Sequence, residues 1–332
     1  MAKTVRFHDL GGPEVMTFEE VPLSDPGPGE VSLRVEAIGI NRAEALFRND
    51  TYIESPRQLP SGLGSEASGT IEAVGPGVTD YVAGQSVSVV PSFSQNDYSM
   101  YAERVIAPTS ALVPRPAGIN PVTGAAAWMS YLTAYGALVD VGGMRPGDTV
   151  VLNAASSSVG LAVIQIAVRS GAIPIALTRT EEKADRLREA GAAAVIVTET
   201  DDIAERVLTL TEGRGARFVF DAVAGPGVTD LAKTVAPNGT HFLYGALSGR
   251  PTPFPGFELG MPALNFRTFT MHEVSRDPTR MKRAAAYLNS GLLSGALRPV
   301  IDRVFDFEEI VKAHRHMESG TQFGKIVATV KH

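Results

Sequence analysis

The first 120 residues alternate between short apolar runs and turn residues. Runs rich in β-branched side chains occur at 31–40, 68–75 and 85–90, and Gly- and Pro-rich segments separate them. Many short strands joined by such turns are typical of a β-barrel or a β-sandwich. We therefore predict a compact β-domain at the N-terminus.

The pattern changes near residue 121. A helical repeat over 124–139 is followed by apolar runs that alternate with helical segments, and these runs predict strands at 150–154, 173–178, 194–198, 217–223 and 240–247. This alternation predicts a parallel sheet covered by helices on both faces. The last part of the chain predicts two helices, 278–292 and 307–319, and two strands, 302–305 and 325–330. We expect this part to return to the first domain.

The loop after the first of these strands is the main candidate for binding. It spans residues 154–160, Ala-Ala-Ser-Ser-Ser-Val-Gly, and helical spacing begins at its end. A helix that starts after such a loop presents backbone N–H groups and the positive end of its dipole, which suit a pyrophosphate. The usual dinucleotide fingerprint has three glycines, whereas here Ser157 and Ser158 replace two of them and only Gly160 is left. From these residues alone, a cofactor loop and a packed strand–helix corner both stay open.

Composition narrows the class of protein. At 332 residues we expect about two domains, and 44% hydrophobic residues with 20% charged residues are typical of a soluble globular chain. The net charge of −6 and the lack of a Lys/Arg cluster argue against nucleic-acid binding. No apolar run approaches the ~20 residues that span a bilayer, and the N-terminus lacks a signal-peptide core, so we expect a cytoplasmic protein without a membrane partner. The absence of cysteine excludes disulfides and thiolate metal sites.

The second predicted strand of the α/β part indicates the cofactor. NAD-specific folds place an Asp or Glu after this strand to bind the ribose hydroxyls. Here the strand ends at Thr178 and is followed by Arg179 and, one helical turn later, Lys183. A carboxylate that would repel a 2′-phosphate is missing and two cations are present, so NADPH is favoured. Alternatively, Thr180 caps a helix and the two cations are solvated.

Several segments carry a family resemblance. IGINRAEALFRNDTY (38–52), LPSGLGSEASGTIEAVGPGVTDYVAGQSV (59–87), YLTAYGAL (131–138) and FGKIVATV (323–330) resemble the medium-chain dehydrogenase/reductase superfamily, and most closely its zinc-free quinone oxidoreductase branch. The resemblance covers essentially the whole chain. It implies an α/β protein with a GroES-like β-barrel domain, residues 1–124 and 270–332, and a doubly wound Rossmann domain, residues 125–269. It also implies a cofactor in the cleft between them and a homodimer.

The departures from the zinc-dependent relatives exclude a catalytic zinc. Those members place a Cys at position 41 and a Gly-His-Glu at positions 64–66, where this chain has Asn41 and Gly-Ser-Glu. The histidines do not replace these ligands, because only His314 and His316 are close in sequence and i,i+2 positions lie on different faces of a helix. We therefore predict no metal site and expect these two histidines to lie on a solvated helix surface.

Without a metal, the easier reaction is hydride transfer to an acceptor that is already conjugated. The charge that develops on the carbonyl oxygen then needs only a hydrogen-bond donor or a proton. Tyr52 stands where quinone reductases of the family carry an active-site tyrosine, and it is either this donor or an aromatic anchor. Asn41 and Thr133 match positions near the nicotinamide, although Asn41 is equally a turn residue. Leu46 replaces a second tyrosine of many quinone reductases, which leaves an enone as suitable as a quinone.

The predicted cofactor contacts extend beyond the glycine loop. Open sheets bind ligands beyond the carboxyl ends of their strands, which adds the loops after the fourth and fifth strands, and the resemblance adds a C-terminal segment. The full set is Asn41, Thr133, Ser156, Ser157, Ser158, Val159, Gly160, Thr178, Arg179, Lys183, Val223, Gly245, Ala246, Leu247, Phe323, Gly324 and Lys325.

The sequence thus predicts a zinc-independent, NADPH-dependent reductase, with Tyr52, Asn41 and Thr133 as its catalytic residues. Its substrate is expected to be a small quinone or α,β-unsaturated carbonyl compound. Two alternatives stay open: a 2-enoyl thioester or acrylate-type reductase, and a non-catalytic NADPH-binding sensor.

Overall fold

A computed structural model describes residues 1–332, apart from the side chain of Glu258. The chain forms two compact units, one from Met1–Met129 with Val274–His332 and one from Ser130–Glu273. We call these the first unit and the second unit. Among the described residues, no helix combines the length and apolar character that crossing a membrane requires.

Sixteen strands and nine α-helices are found within the described residues. The strands are β1 (Ala2–Phe7), β2 (Met16–Val21), β3 (Glu30–Ile40), β4 (Ser61–Gly62), β5 (Ala67–Val74), β6 (Ser86–Val89), β7 (Arg104–Pro108), β8 (Leu112–Pro114), β9 (Thr149–Leu152), β10 (Ile173–Thr178), β11 (Ala194–Val197), β12 (Ala216–Asp221), β13 (Val235–Leu243), β14 (Asn265–Thr268), β15 (Ile301–Asp306) and β16 (Lys325–Thr329). The helices are α1 (Arg42–Arg48), α2 (Pro121–Tyr135), α3 (Ser158–Arg169), α4 (Ala184–Glu189), α5 (Ile203–Leu210), α6 (Val228–Ala232), α7 (His272–Ser275), α8 (Pro278–Ser294) and α9 (Ile310–Glu318).

The first unit is built around two β-sheets. A three-stranded sheet has the order β2-β1-β4, and a seven-stranded sheet has the order β15-β16-β3-β5-β6-β8 with β7 also paired to β3. In strand β3 the side chains of Val31, Leu33 and Val35 are buried in the core and alternate with polar residues. The C-terminal strand β16 pairs antiparallel with β3. Both ends of the chain therefore form one core.

The second unit contains the predicted parallel sheet. Its six strands have the order β11-β10-β9-β12-β13-β14, and all of the pairings are parallel. Numbered within the unit, this is the 3-2-1-4-5-6 order of a doubly wound fold, whose switch point lies between β9 and β12. The predicted doubly wound sheet is confirmed. Ligands of such sheets bind at the carboxyl ends of the strands near this point.

Most predicted elements lie where the apolar pattern puts them, and β10 matches its predicted bounds. The predicted strand at 240–247 is wrong at its end, because β13 stops at Leu243. Beyond it, the amides of Tyr244 and Leu247 donate to the carbonyls of Asp221 and Ala222 at 3.0 and 3.1 Å. The chain there bonds to a neighbouring loop instead of continuing the sheet ladder.

The expected solvated surface at His314 and His316 is wrong for His314. Its side chain is fully buried: Arg48 donates from Nη1 to its Nδ1 at 2.9 Å, and its Nε2 lies 3.0 Å from the hydroxyl of Tyr101. Arg48 also pairs with Glu318 at 2.7 Å. The helical period predicts α9 itself. It does not predict that Arg48 on α1 packs against His314, because the two residues are 266 positions apart in the chain.

This network predicts a loss of stability in acid. Burial, and next the neighbouring Arg48 charge, lower the pKa of His314 below the usual value of 6.5 against the opposing effect of the Glu318 hydrogen bond and charge. A histidine with a lowered folded-state pKa contributes stability above its unfolded pKa, and this contribution is lost as the pH falls through the folded value. In urea titrations between about pH 7.5 and about pH 5, wild type should lose stability more steeply than His314→Gln. Parallel pH dependences of the two proteins would contradict this role.

Candidate functional site

The loop between β9 and α3 has the geometry of a tight strand-to-helix turn. Ala154 adopts a left-handed conformation with φ of 47°, and the Ser157 hydroxyl caps α3 by accepting from the amide of Gly160 at 3.1 Å. A Cβ on Gly160 would lie 2.5 Å from the carbonyl oxygen of Ala155. The one glycine left in this loop is therefore the one that the packing requires. Ser158 and Val159 lie in the first helical turn, where amides have no intrahelical acceptor and can bind an anion.

Asp221 joins this loop to the one that follows β12. Its carboxylate is buried and accepts from Asn153 Nδ2 at 2.5 Å, from the amides of Val223 and Ala224 at 2.8 and 3.0 Å, and from His241 at 3.2 Å. Asn153 in turn accepts from the amide of Ala222 at 2.8 Å. Burial opposes ionisation, but the hydrogen bonds from His241, Ala224 and Asn153 lower the pKa of Asp221. A buried carboxylate thus holds the ends of β9 and β12 together.

The loop after β13 completes this edge of the sheet. The amides of Leu247 and Ser248 donate to the carbonyls of Ala222 and Val223 at 3.1 and 2.9 Å. A Cβ on Gly245 would lie 2.6 Å from the Ala222 oxygen, so the two loops are in close backbone contact. Three loops at the carboxyl ends of the strands therefore form one hydrogen-bonded rim, whose small residues are mostly partly exposed, at the edge where sheets of this type bind ligands.

Two cations lie beyond β10 at the same rim. Lys183 donates from Nζ to Ser156 Oγ at 3.5 Å, which places its ammonium beside the loop before α3. Arg179 is exposed, and its guanidinium forms no ion pair within the described residues. The hydroxyl of Thr178 is bonded to the Thr180 carbonyl at 3.1 Å. Lys183, a predicted 2′-phosphate contact, and Ser156, a predicted residue of the cofactor loop, are therefore brought together.

In the first unit, Asn41 lies in a buried network of charges. Lys325 Nζ donates to Asn41 Oδ1 and, at 2.6 Å, to Glu66 Oε2. Asn41 Nδ2 donates to the carbonyl of Gly39 and to Glu66 at 3.2 and 3.3 Å. The other Glu66 oxygen accepts from the amide of Met129 at 2.9 Å. Both hydrogens of the Asn41 amide are thus occupied, and its oxygen accepts from Lys325.

A second carboxylate lies next to this network. Glu44 is fully buried and accepts from the Asn41 amide at 2.7 Å and from the Ser65 hydroxyl and amide at 2.7 and 3.2 Å. Burial raises the pKa of Glu44 in spite of the Ser65 hydrogen bond and the Lys325 charge. Glu44 is not among the predicted site residues, although the Asn-x-x-Glu spacing of a capping box marks it in the sequence.

Tyr52 lies in the segment after α1 and is partly buried against the core of the first unit. Burial, followed by the charges of Glu44 and Glu54, raises its pKa to about 12, while Arg276 acts in the opposite direction. Its hydroxyl has no hydrogen-bond partner in the part of the chain that the structure describes. The phenol therefore keeps its proton at neutral pH and is free to donate it in a hydrogen bond.

The remaining predicted site residues differ in exposure. Thr133 is buried in α2, and Phe323 is buried with its amide donating to Asp302 at 2.9 Å. Gly324 has a φ of 115°, and a Cβ there would lie 2.3 Å from the Val300 carbonyl oxygen. Leu247 is half-exposed. No group of three or more His, Cys, Asp or Glu side chains capable of holding a metal ion occurs among the described residues.

Comparisons with known proteins agree with this architecture. A family model described as "Alcohol dehydrogenase GroES-like domain" matches residues 27–134, and one described as "Zinc-binding dehydrogenase" matches residues 158–288. A quinone oxidoreductase of Pseudomonas aeruginosa is 31% identical over 98% of this chain and 99% of its own length. A 2-haloacrylate reductase of a Burkholderia species is 30% identical over 98% of both chains. The structure of Escherichia coli quinone oxidoreductase complexed with NADPH has a TM-score of 0.91 and 27% identity, covering 99% of this chain and 100% of that one.

The Asp221 network predicts a marked loss of stability when its carboxylate is removed. Asp221→Ala leaves buried donors on Asn153 and on two amides without an acceptor, so we expect a loss of about 2–4 kcal/mol at neutral pH. Because the pKa of Asp221 is lowered, this contribution is present above its unfolded pKa and lost as the pH falls through the folded value. Urea titration measures the change. Asp230→Ala, which removes an exposed carboxylate paired with Lys233, is the control and should cost far less; equal losses would refute the role of Asp221.

Proposed function

Because this chain belongs to the medium-chain dehydrogenase/reductase superfamily, in its quinone oxidoreductase-like branch, we propose that it transfers a hydride to a quinone or an α,β-unsaturated carbonyl compound. It is an NADPH-dependent oxidoreductase, and NADPH supplies the hydride when bound. The observation that carries the choice of acceptor is the free, protonated phenol of Tyr52 in a unit whose described residues offer no metal site.

Tyr52 is proposed to stabilise the charge that develops on the acceptor oxygen. A carbonyl that receives a hydride at its conjugated carbon becomes an enolate or phenolate, and a fixed hydrogen-bond donor lowers the energy of that anion. In the zinc-dependent relatives the metal ion is the group that would polarise a simple carbonyl, and the described residues of this chain hold no such ligand set. The phenol is suited to the first task, since a pKa near 12 keeps it protonated at neutral pH.

The rim of the second unit is proposed to hold the cofactor. The amides that begin α3 would bind the pyrophosphate, and Arg179 and Lys183 would bind the 2′-phosphate. The loops that include Val223 and Gly245–Leu247 would border the rest of the dinucleotide. Asn41 and Thr133 stay predicted contacts of the nicotinamide, with the Asn41 oxygen acting as an acceptor. Phe323, Gly324 and Lys325 also stay predictions, although the Lys325 ammonium is already bonded to Asn41 and Glu66.

A 2-enoate or 2-enoyl thioester is the second candidate substrate. The observation that favours it is the similarity to 2-haloacrylate reductase over 98% of both chains. The apolar Leu46, on the same helix as Glu44, is compatible with either class. A cytoplasmic homodimer also stays a proposal, which light scattering after gel filtration would test.

The cofactor assignment predicts a selective effect at Arg179. Arg179→Ala should weaken NADPH binding by about tenfold, the order of one exposed charge-assisted hydrogen bond, and leave NADH binding unchanged because NADH lacks the 2′-phosphate. Fluorescence titration of both nucleotides measures this. Arg214→Ala, which removes an exposed arginine at the amino ends of the strands, is the control and should leave both affinities unchanged. An equal loss for the two nucleotides would contradict the assignment.

The proposed role of Tyr52 predicts a loss of turnover with intact cofactor affinity. With NADPH and a panel of one quinone, one enone and one enoyl thioester, Tyr52→Phe should lower kcat by about 10- to 100-fold. Phenylalanine keeps the ring packing, so NADPH affinity should be unchanged. The best acceptor in wild type decides between the substrate classes. Wild type that binds NADPH but turns over none of them would instead favour the sensor alternative.

A further inference from the structure

We propose that Glu44 and Ser65 form a proton relay that delivers the proton taken up by the reduced acceptor. The proposal rests on the proposed function, because it concerns the second half of the same reaction. Hydride transfer alone leaves an anionic product. The proposed role of Tyr52 stabilises this anion, but it does not identify the group that supplies the proton which neutralises it.

Within the described part of the chain, Glu44 is the carboxyl group of the buried network that has no cation of its own. Lys325 and Glu66 lie 2.6 Å apart and are both almost fully buried, at 1% and 0% side-chain exposure, so they neutralise each other. Glu44 has no cation of its own within hydrogen-bond distance among the described residues; its partners are the amide of Asn41 and the amide and hydroxyl of Ser65. A buried carboxyl without its own counter-ion favours the protonated form.

The contact between Glu44 and Ser65 can carry a proton in either direction. Glu44 Oε1 and Ser65 Oγ are 2.7 Å apart. When Glu44 is ionised, the serine hydroxyl donates to it. When Glu44 is protonated, the carboxyl donates to Ser65 Oγ, and the serine hydrogen is free to point elsewhere. In the second arrangement Ser65 can donate its hydroxyl proton to another group and receive a new proton from Glu44.

The position of Glu44 connects this pair to Tyr52. Burial, followed by the charge of Glu44, raises the pKa of Tyr52 and that of Tyr101. The ionisable groups that face Glu44 are thus Lys325 on β16, Tyr52 after α1 and Tyr101, with Glu66 paired to Lys325. Of these, only Tyr52 is partly exposed. Glu44 lies in α1, which ends four residues before Tyr52, so Tyr52 is the group of this set that a bound acceptor can reach.

The step balances with one hydride and one proton. The acceptor gains a hydride, which reduces it by two electrons, and its anion takes the hydroxyl proton of Ser65. The Ser65 oxygen takes the proton of Glu44 in the same movement, so serine ends unchanged and Glu44 ends as a carboxylate. After the product leaves, Ser65 Oγ takes a proton from water and passes its own hydroxyl proton back to the Glu44 carboxylate, which restores both groups. A purely structural alternative is that Glu44 only caps the start of α1, in which case it stays ionised throughout.

The serine variants test the relay in the full-length protein with NADPH and its best acceptor. Ser65→Ala should lower kcat by ten- to a hundredfold with NADPH affinity unchanged, and should increase the solvent deuterium isotope effect on kcat. Ser65→Thr keeps the hydroxyl and should restore most of the rate. Ser88→Ala is the matched control, because it removes another buried hydroxyl of the first unit, one that donates to the backbone carbonyl of Gly124 instead of to a carboxylate. Equal rates in Ser65→Ala and Ser88→Ala would overturn the relay.

The carboxyl variant gives readouts that do not depend on turnover. Gln replaces a protonated carboxyl closely, so Glu44→Gln should fold. The infrared difference spectrum of wild type minus Glu44→Gln at neutral pH should contain a protonated carboxyl band that shifts in D2O; its absence would show an ionised cap and overturn the proposal. The Tyr52 phenol, followed by its ultraviolet absorbance against Tyr52→Phe, should titrate at lower pH in Glu44→Gln. An unchanged titration would show that Glu44 does not interact with Tyr52, which would contradict the proposal.

These outcomes distinguish the relay from the proposed function. If wild type reduces none of the acceptors, the proposed reaction fails, whereas the infrared band still reports the proton on Glu44. If wild type turns over normally and the Ser65 variants match their control, the reaction stands and the relay is wrong.

Discussion

The buried pairing of Lys325 with Glu66 and Asn41 is the constraint on which the first unit depends. An ammonium at 1% exposure is very costly unless its partners neutralise it. Lys325 begins the C-terminal strand, Asn41 follows β3 and Glu66 precedes β5, so satisfying one charge fixes three segments that are far apart in the chain. Such a pair adds little net stability compared with an apolar core, but breaking it is expensive. It thereby determines which backbone register brings the two ends of the chain together.

In the second unit a buried carboxylate, Asp221, connects segments that are distant in the chain. Parallel strands end at one edge, where loops must satisfy their own backbone groups. Asp221 accepts four hydrogen bonds there and links the ends of β9 and β12 across the switch point of the sheet. The loop after β13 then bonds to the same segment. A rigid rim formed in this way can present helix amides and cations to a dinucleotide without depending on a complete set of glycines, which explains how Ser157 and Ser158 are accommodated.

This chain lacks the Cys and His side chains that the zinc-dependent relatives carry at two sequence positions, but the side chains at those positions are still polar. Asn41 and Ser65 occupy the two sequence positions at which zinc-dependent relatives resemble this chain but carry other side chains. In this protein both are bonded to buried carboxylates, Glu66 and Glu44 respectively. An amide and a hydroxyl that are hydrogen-bonded to carboxyl groups can donate hydrogen bonds and move protons, whereas they cannot act as a Lewis acid as a metal ion does. This agrees with an acceptor that is activated by its own conjugation.

The sequence by itself determined the α/β class, five of the six strands of the parallel sheet and most other strand positions, because apolar periodicity is a local property that burial imposes on each element. It did not predict the sixth strand, β14, whose short segment Asn265–Thr268 has mostly polar or partly exposed residues. It also located the loop before α3 and the cations after β10, since strand order places such loops at one edge. Only the tertiary structure decided that His314 is buried against Arg48, that Asp221 joins two loops, and that Lys325, Glu66, Asn41, Glu44 and Ser65 form one network. These contacts join residues up to 284 positions apart. No local pattern encodes such pairings, because the partner of a buried charge is set by which chain segments the completed fold brings within a few ångströms.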